Sequence, residues 1–166
     1  VVRLRPAFRW PIVGTGQPGC RLGLSCMDIL AALFFEGLEL RPASGGVTKI
    51  DLTGIHFSMA APTPVPITVA PHLMVLVHCP EGASPTAALE VIFTKDGERV
   101  ARNAQSLQVE PGRFGYRLVR AEVEIEDYGT IEAHCRIDQG PVTVVPFTIL
   151  PPVPADPPSD PGPDAS

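Results

Sequence analysis

Several features that usually announce a function are missing from this 166-residue sequence. No apolar run reaches the roughly 20 residues that a membrane-spanning helix needs. The stretch from Ile29 to Phe35 is short and soon meets Glu36 and Glu39, so no membrane span is expected. There is no basic stripe either. Residues 28–150 carry a net charge of −6, which repels a phosphate backbone and speaks against nucleic acid as a partner. No G-x-S-x-G elbow occurs, and no cysteine sits in an evident polar setting beside a histidine and an acid. One G-x-G-x-x-G run is present, Gly14-Thr15-Gly16-Gln17-Pro18-Gly19. Dinucleotide binding needs that turn between a strand and a helix. Here only Ile12-Val13 precede it, Pro18 sits inside it, and residues 20–24 are no helix, so a glycine-rich coil is expected. Long helices are also excluded: the 20 prolines and 15 glycines would each cost about 1–3 kcal/mol in a helix interior.

What is present suits a single β domain. Hydrophobic residues make up 45% of the chain, enough for a core without a metal or a disulfide to hold it. Residues 1–27 carry Arg3, Arg5, Arg9 and Arg21 and no acid, whereas residues 151–166 carry Asp156, Asp160 and Asp164 and no base. The expected organisation is a disordered leader or over-extended start over 1–26, a β-sandwich over 27–150, and a disordered Pro/Asp-rich tail over 151–166. Within the leader, Trp10 to Val13 is too short for the apolar core of a secretory signal. Gln17-Pro18-Gly19 is a poor lead-in for a lipid anchor at Cys20. A cytoplasmic location is therefore expected, with export as the alternative.

Strand signals follow one another from Met27 onward. Ile29 to Leu40 is the first apolar run; over Ile29 to Leu38 period alone leaves helix and strand open, and the run into the Ser44-Gly45-Gly46 turn favours strand. Val47 to Met59 alternates Ile50, Leu52 and Gly54 against Lys49, Asp51 and Thr53. Pro62, Pro64 and Pro66 form an extended connector. Leu73, Val75, Val77 and Cys79 share one strand face, with Met74, Leu76 and His78 on the other. Ala88 to Thr94 and Glu98 to Arg102 flank a Lys95-Asp96-Gly97 hairpin turn, and Ser106 to Val109 is a short strand. Val119, Ala121, Val123 and Ile125 alternate with Arg120, Glu122, Glu124 and Glu126. Ile131, Ala133, Cys135 and Ile137 form the next inward set, and Val142 to Leu150 closes the domain. The expected fold class is all-β: an antiparallel, immunoglobulin-like sandwich of about eight or nine strands.

Two resemblances accompany this pattern. Val91-Ile92-Phe93-Thr94-Lys95-Asp96-Gly97 resembles the strand-C segment V-x-W-x-K-D-G of immunoglobulin-like domains, with Phe93 in the tryptophan position. Asp127-Tyr128-Gly129-Thr130-Ile131 resembles their D-x-G-x-Y corner, with Ile131 in the tyrosine position. The stretch from Met27 to about Leu150 is similar to a family of small, functionally uncharacterised bacterial proteins. These open with an apolar strand after the methionine, continue with a strand like Ile50-Asp51-Leu52-Thr53-Gly54-Ile55, and close with one like Pro146-Phe147-Thr148-Ile149. The family implies strands and a start at Met27 but no activity. The immunoglobulin-like order implies that Cys79 and Cys135 face the core from opposite sheets at matching heights, as a disulfide or as paired core thiols.

No constellation carries chemistry convincingly. His78-Cys79 and His134-Cys135 repeat one pattern, but adjacent strand residues point to opposite faces, so one metal ion cannot readily take both members of each pair. Glu122, Glu124 and Glu126 read as a solvated strand face rather than the oxygen cage that calcium wants. His56 and Ser58 share a face without a third partner. No cofactor, metal or catalytic residue is expected. The leading function is a non-catalytic binding or accessory module acting through a protein–protein surface, its partner another protein or a second copy. The alternatives are a hydrolase-like enzyme with a site on Pro80 to Thr86 beside the Asp127 corner, and a structural, envelope-associated sandwich.

Overall fold

The structure, a computed structural model, describes residues 26–45 and 47–153. The expected leader, its glycine run and Cys20 lie outside the described residues, as does the tail beyond Val153. The described chain is all-β, with no helix. Twelve strands follow in order: β1 (Asp28–Phe35), β2 (Gly37–Ala43), β3 (Val47–Thr53), β4 (Ser58–Ala60), β5 (Ile67–Val69), β6 (His72–Cys79), β7 (Thr86–Lys95), β8 (Glu98–Gln108), β9 (Arg113–Arg120), β10 (Val123–Ile125), β11 (Gly129–Ile137) and β12 (Val142–Leu150).

Twelve exceeds the expected eight or nine because apolar runs do not register breaks in pairing. The Ile29–Leu40 run is two strands that part at Glu36. The Val47–Met59 run parts at Gly54, whose φ of +63° suits glycine. The run through Ile125 parts at Ala121-Glu122. In the other direction, the two strands expected between Glu98 and Val109 are the single strand β8. The connector hides β5, and the expected strand covers only the last two residues of β9, Val119 and Arg120.

One sheet has the order β1-β6-β9 and the other β4-β12-β11-β7-β8. The small β10-β5 pair extends the first. His72 opposes Arg120 in the β6–β9 ladder, and Val69 opposes Val123 in the β5–β10 ladder, so both ladders keep one register across the interruption. The gap contains Pro71, which has no N–H for the ladder. All neighbours are antiparallel except β4, which runs parallel to β12.

The core lies between these sheets. From the first come Phe34, Leu73, Val75, Val77, Cys79, Val119, Val123 and Ile125; from the second, Leu89, Val91, Phe93, Ile131, Ala133, Cys135, Phe147 and Ile149. Each is an alternate residue of its strand, as a sheet buried on one face requires. Phe34 of β1 meets Phe147 of β12 at a ring-centroid distance of 4.6 Å, joining the layers. Burying each large side chain contributes about 1.5–3 kcal/mol. The β7–β8 hairpin turns on Asp96 and Gly97, at φ +51° and +84°, the two-residue turn whose twist matches its strands.

Side chains close the open side of the molecule. Across the gap between β8 and β9, Asn103 Nδ2 donates to the Arg120 carbonyl (3.3 Å), Gln105 Nε2 to the Leu118 carbonyl (3.0 Å) and Arg117 Nε to the Ser106 carbonyl (3.2 Å). Tyr128 braces the proline connector, its hydroxyl accepting the Val65 N–H at 3.4 Å. The β2–β3 hairpin stands apart. Among the described residues its strands pair with each other alone, and no other element packs substantially against them.

Candidate functional site

The outward faces of the two main sheets differ in chemistry. Antiparallel partners project to the same side, so the registers give the rows of the β1-β6-β9 face directly. Leu33, Met74 and Leu118 form one row and Ala31, Leu76 and Tyr116 the next. His78 and Phe114 follow, their rings stacked at 4.7 Å. At the other end Phe35 lies against His72, ring centroids 5.9 Å apart. Met74 and Phe35 are each 5% exposed, although they lie outside the cluster packed between the sheets. Phe114 is 66% exposed and Leu118 46%. Leu30, at the bulge where the β1–β6 register shifts, is also exposed.

The opposite outer face is polar and largely paired. Glu90 accepts from Arg102 at 2.8 Å and also from Arg136. Those two guanidiniums hold the Glu90 carboxyl below the usual carboxylate range, the Arg102 hydrogen bond contributing most. His134 Nε2 lies 3.1 Å from Thr94 Oγ1 and 3.1 Å from Glu132 Oε2. At the end of β7, in register with the core residue Ile131 rather than on this face, Lys95 bridges Asp96 at 2.9 Å and Asp127 at 2.5 Å, and the two acids raise its pKa, with the Asp127 hydrogen bond first. Val142, Val144 and Leu150 are exposed apolar exceptions here.

A cleft of about 600 Å³ opens where β1 meets β2, beside β4 and the β5–β6 junction. Its walls include Phe35, Glu36, His56, Ser58, His72 and Phe147. His56 Nδ1 donates to the Gly54 carbonyl at 2.6 Å, and its ring stands edge-on to Phe147 at 5.2 Å. Among the described residues no hydrogen bond joins Ser58 to either imidazole, so the cleft gathers polar side chains without coupling them into a relay.

The residues singled out from sequence fall as follows. Cys79 and Cys135 are both buried in the one core, on β6 and β11 of opposite sheets, and both are free thiols, so no disulfide joins them. Cys79 Sγ lies 3.5 Å from the Ser84 carbonyl and Cys135 Sγ 3.9 Å from that of Ala133. Burial pushes the Cys135 thiol up to about 12. His78 and His134 stand on the outer faces of different sheets. Pro80 to Thr86 enters the start of β7, whereas Asp127 is tied to Lys95 at its far end. Those positions are about 30 Å apart along a ten-residue strand, so the structure does not bring together the loop site considered above.

Phe114, Tyr116 and Leu118 were missed. Their signal is a period-2 apolar set, but the alternating Gly115 and Arg117 break the inward phase that strand reading relies on. The sequence matches no protein-family model and none of the curated proteins it was compared with.

Proposed function

We propose that this chain is an immunoglobulin-like sandwich serving as a non-catalytic binding module, with the outer face of the β1-β6-β9 sheet as its protein-binding surface. The observation that carries this reading is the polarity contrast. One outer face pairs many of its charges internally, whereas the other exposes Phe114 and Leu118, with half-buried Tyr116 and buried Met74 beside them and exposed Leu30 at the β1 bulge. Aromatic residues and methionine are the side chains that concentrate at binding surfaces. Strand order supports the immunoglobulin-like assignment. With β1, β6 and β9 as strands A, B and E, and β8, β7, β11 and β12 as C′, C, F and G, the two sheets follow that fold's division.

Size sets the kind of partnership. Three strands about 4.8 Å apart and about 25 Å long make a footprint of roughly 350 Å². A standard complex buries about 800 Å² per side, so the face suits a transient partner.

The test is capture with the full chain as bait, against a Phe114→Asp/Leu118→Asp double variant of equal melting temperature. The reading expects a specific protein retained by the parent and reduced at least tenfold by the variant. Equal recovery by both, or no specific protein at all, would count against it.

A further inference from the structure

The β2–β3 arm has an unusual charge arrangement. Leu38 opposes Leu52 and Leu40 opposes Ile50, which gives one apolar side. On the other side like charges stand directly opposite: Glu39 faces Asp51 and Arg41 faces Lys49. Such pairs are unfavourable. Only a diagonal relieves them, the Arg41–Asp51 ion pair, and Lys49 makes no ion pair among the described residues. A two-stranded hairpin is marginal in water unless another strand or layer supports it. Leu40 is 46% exposed, and among the described residues no other strand pairs with the arm. Its two edges differ as well. On β2, Pro42 lacks an N–H, but β3 has no proline, so its edge is open to pairing.

We propose that this arm joins two copies of the chain, β3 of one pairing antiparallel with β3 of the other about Ile50. The segment is self-complementary in that register. Lys49 meets Asp51 of the second copy, Asp51 meets its Lys49, and Thr48 meets its Leu52. Each Lys49, set against Arg41 within its own protomer, gains an acid on its other side. The product is a four-stranded β2-β3-β3-β2 sheet, and the aliphatic side chains of both arms form one continuous strip. About six new backbone hydrogen bonds link the copies. The proposal stands apart from the sheet-face reading, because it uses no residue of β1, β6 or β9.

Sedimentation velocity on the full chain from about 10 µM to about 1 mM tests it, together with charge exchange. The parent is expected to pass reversibly from monomer to dimer. Lys49→Asp alone sets acid against acid, and Asp51→Lys alone sets base against base. Each weakens the dimer about tenfold, two favourable cross-strand pairs becoming two unfavourable ones. Mixing the two single variants restores a dimer containing one of each, and the combined Lys49→Asp/Asp51→Lys chain dimerises like the parent. Far-UV circular dichroism should be unchanged in all of them, since the arm supports no other element. A parent that stays monomeric throughout, or a dimer indifferent to every exchange, would overturn the proposal. A dimer lost only in Phe114→Asp/Leu118→Asp would overturn it too, while leaving the sheet-face reading in place.

Discussion

Cys79 and Cys135 show how far alternation along a strand reaches. Cys79 continues the Leu73, Val75, Val77 phase and Cys135 the Ile131, Ala133 phase, and all of these side chains lie in the core. Their redox state was not legible, because it depends on the separation of two sulfurs across two sheets, which no local pattern encodes. The thiolate is the reactive form. With Cys135 pushed up to about 12, its thiolate fraction at pH 8 is about a thousandfold below that of an ordinary cysteine. Because both sulfurs are buried, iodoacetamide at pH 8 should leave both core cysteines unmodified in the native protein and label both in urea, as read by peptide mass spectrometry. Stoichiometric labelling of Cys135 within minutes under native conditions would contradict the buried placement.

At the scale of elements, strand content was readable and strand boundaries were not. β1 reads as continuously apolar because both its faces are used: Ala32 and Phe34 face the core, while Leu33 and Phe35 join the outer patch. Periodicity therefore cannot separate it from β2. β9 was largely hidden for a related reason. Its inward phase carries Gly115 and Arg117, the first pressed against Val109 and the second reaching across to β8. A Cβ at Gly115 would stand 2.7 Å from Val109 Cγ2. Gly115→Ala should cost about 1–3 kcal/mol in urea unfolding, as overpacking does. Adding Val109→Ala should recover part of that loss in a double-mutant cycle. Strict additivity of the two changes would show that β9 does not approach Val109 as described.

For the whole molecule, the two sheet layers leave two outward faces of opposite character. The acids Glu122, Glu124 and Glu126, which lie on the β10 extension of the first sheet beyond the end of its apolar rows, were visible in the sequence because they recur every second residue. The apolar face was not, because it gathers side chains from β1, β6 and β9, segments far apart in the chain that only the registers align. The proposed module function rests on that alignment. Hydrogen–deuterium exchange on the protein with its captured partner tests this most directly. The account predicts slowed exchange in peptides covering residues 72–79 and 113–120, with those covering residues 86–95 and 129–150 unchanged. Protection confined to the charged β12-β11-β7-β8 sheet, or none in β6 and β9, would contradict it.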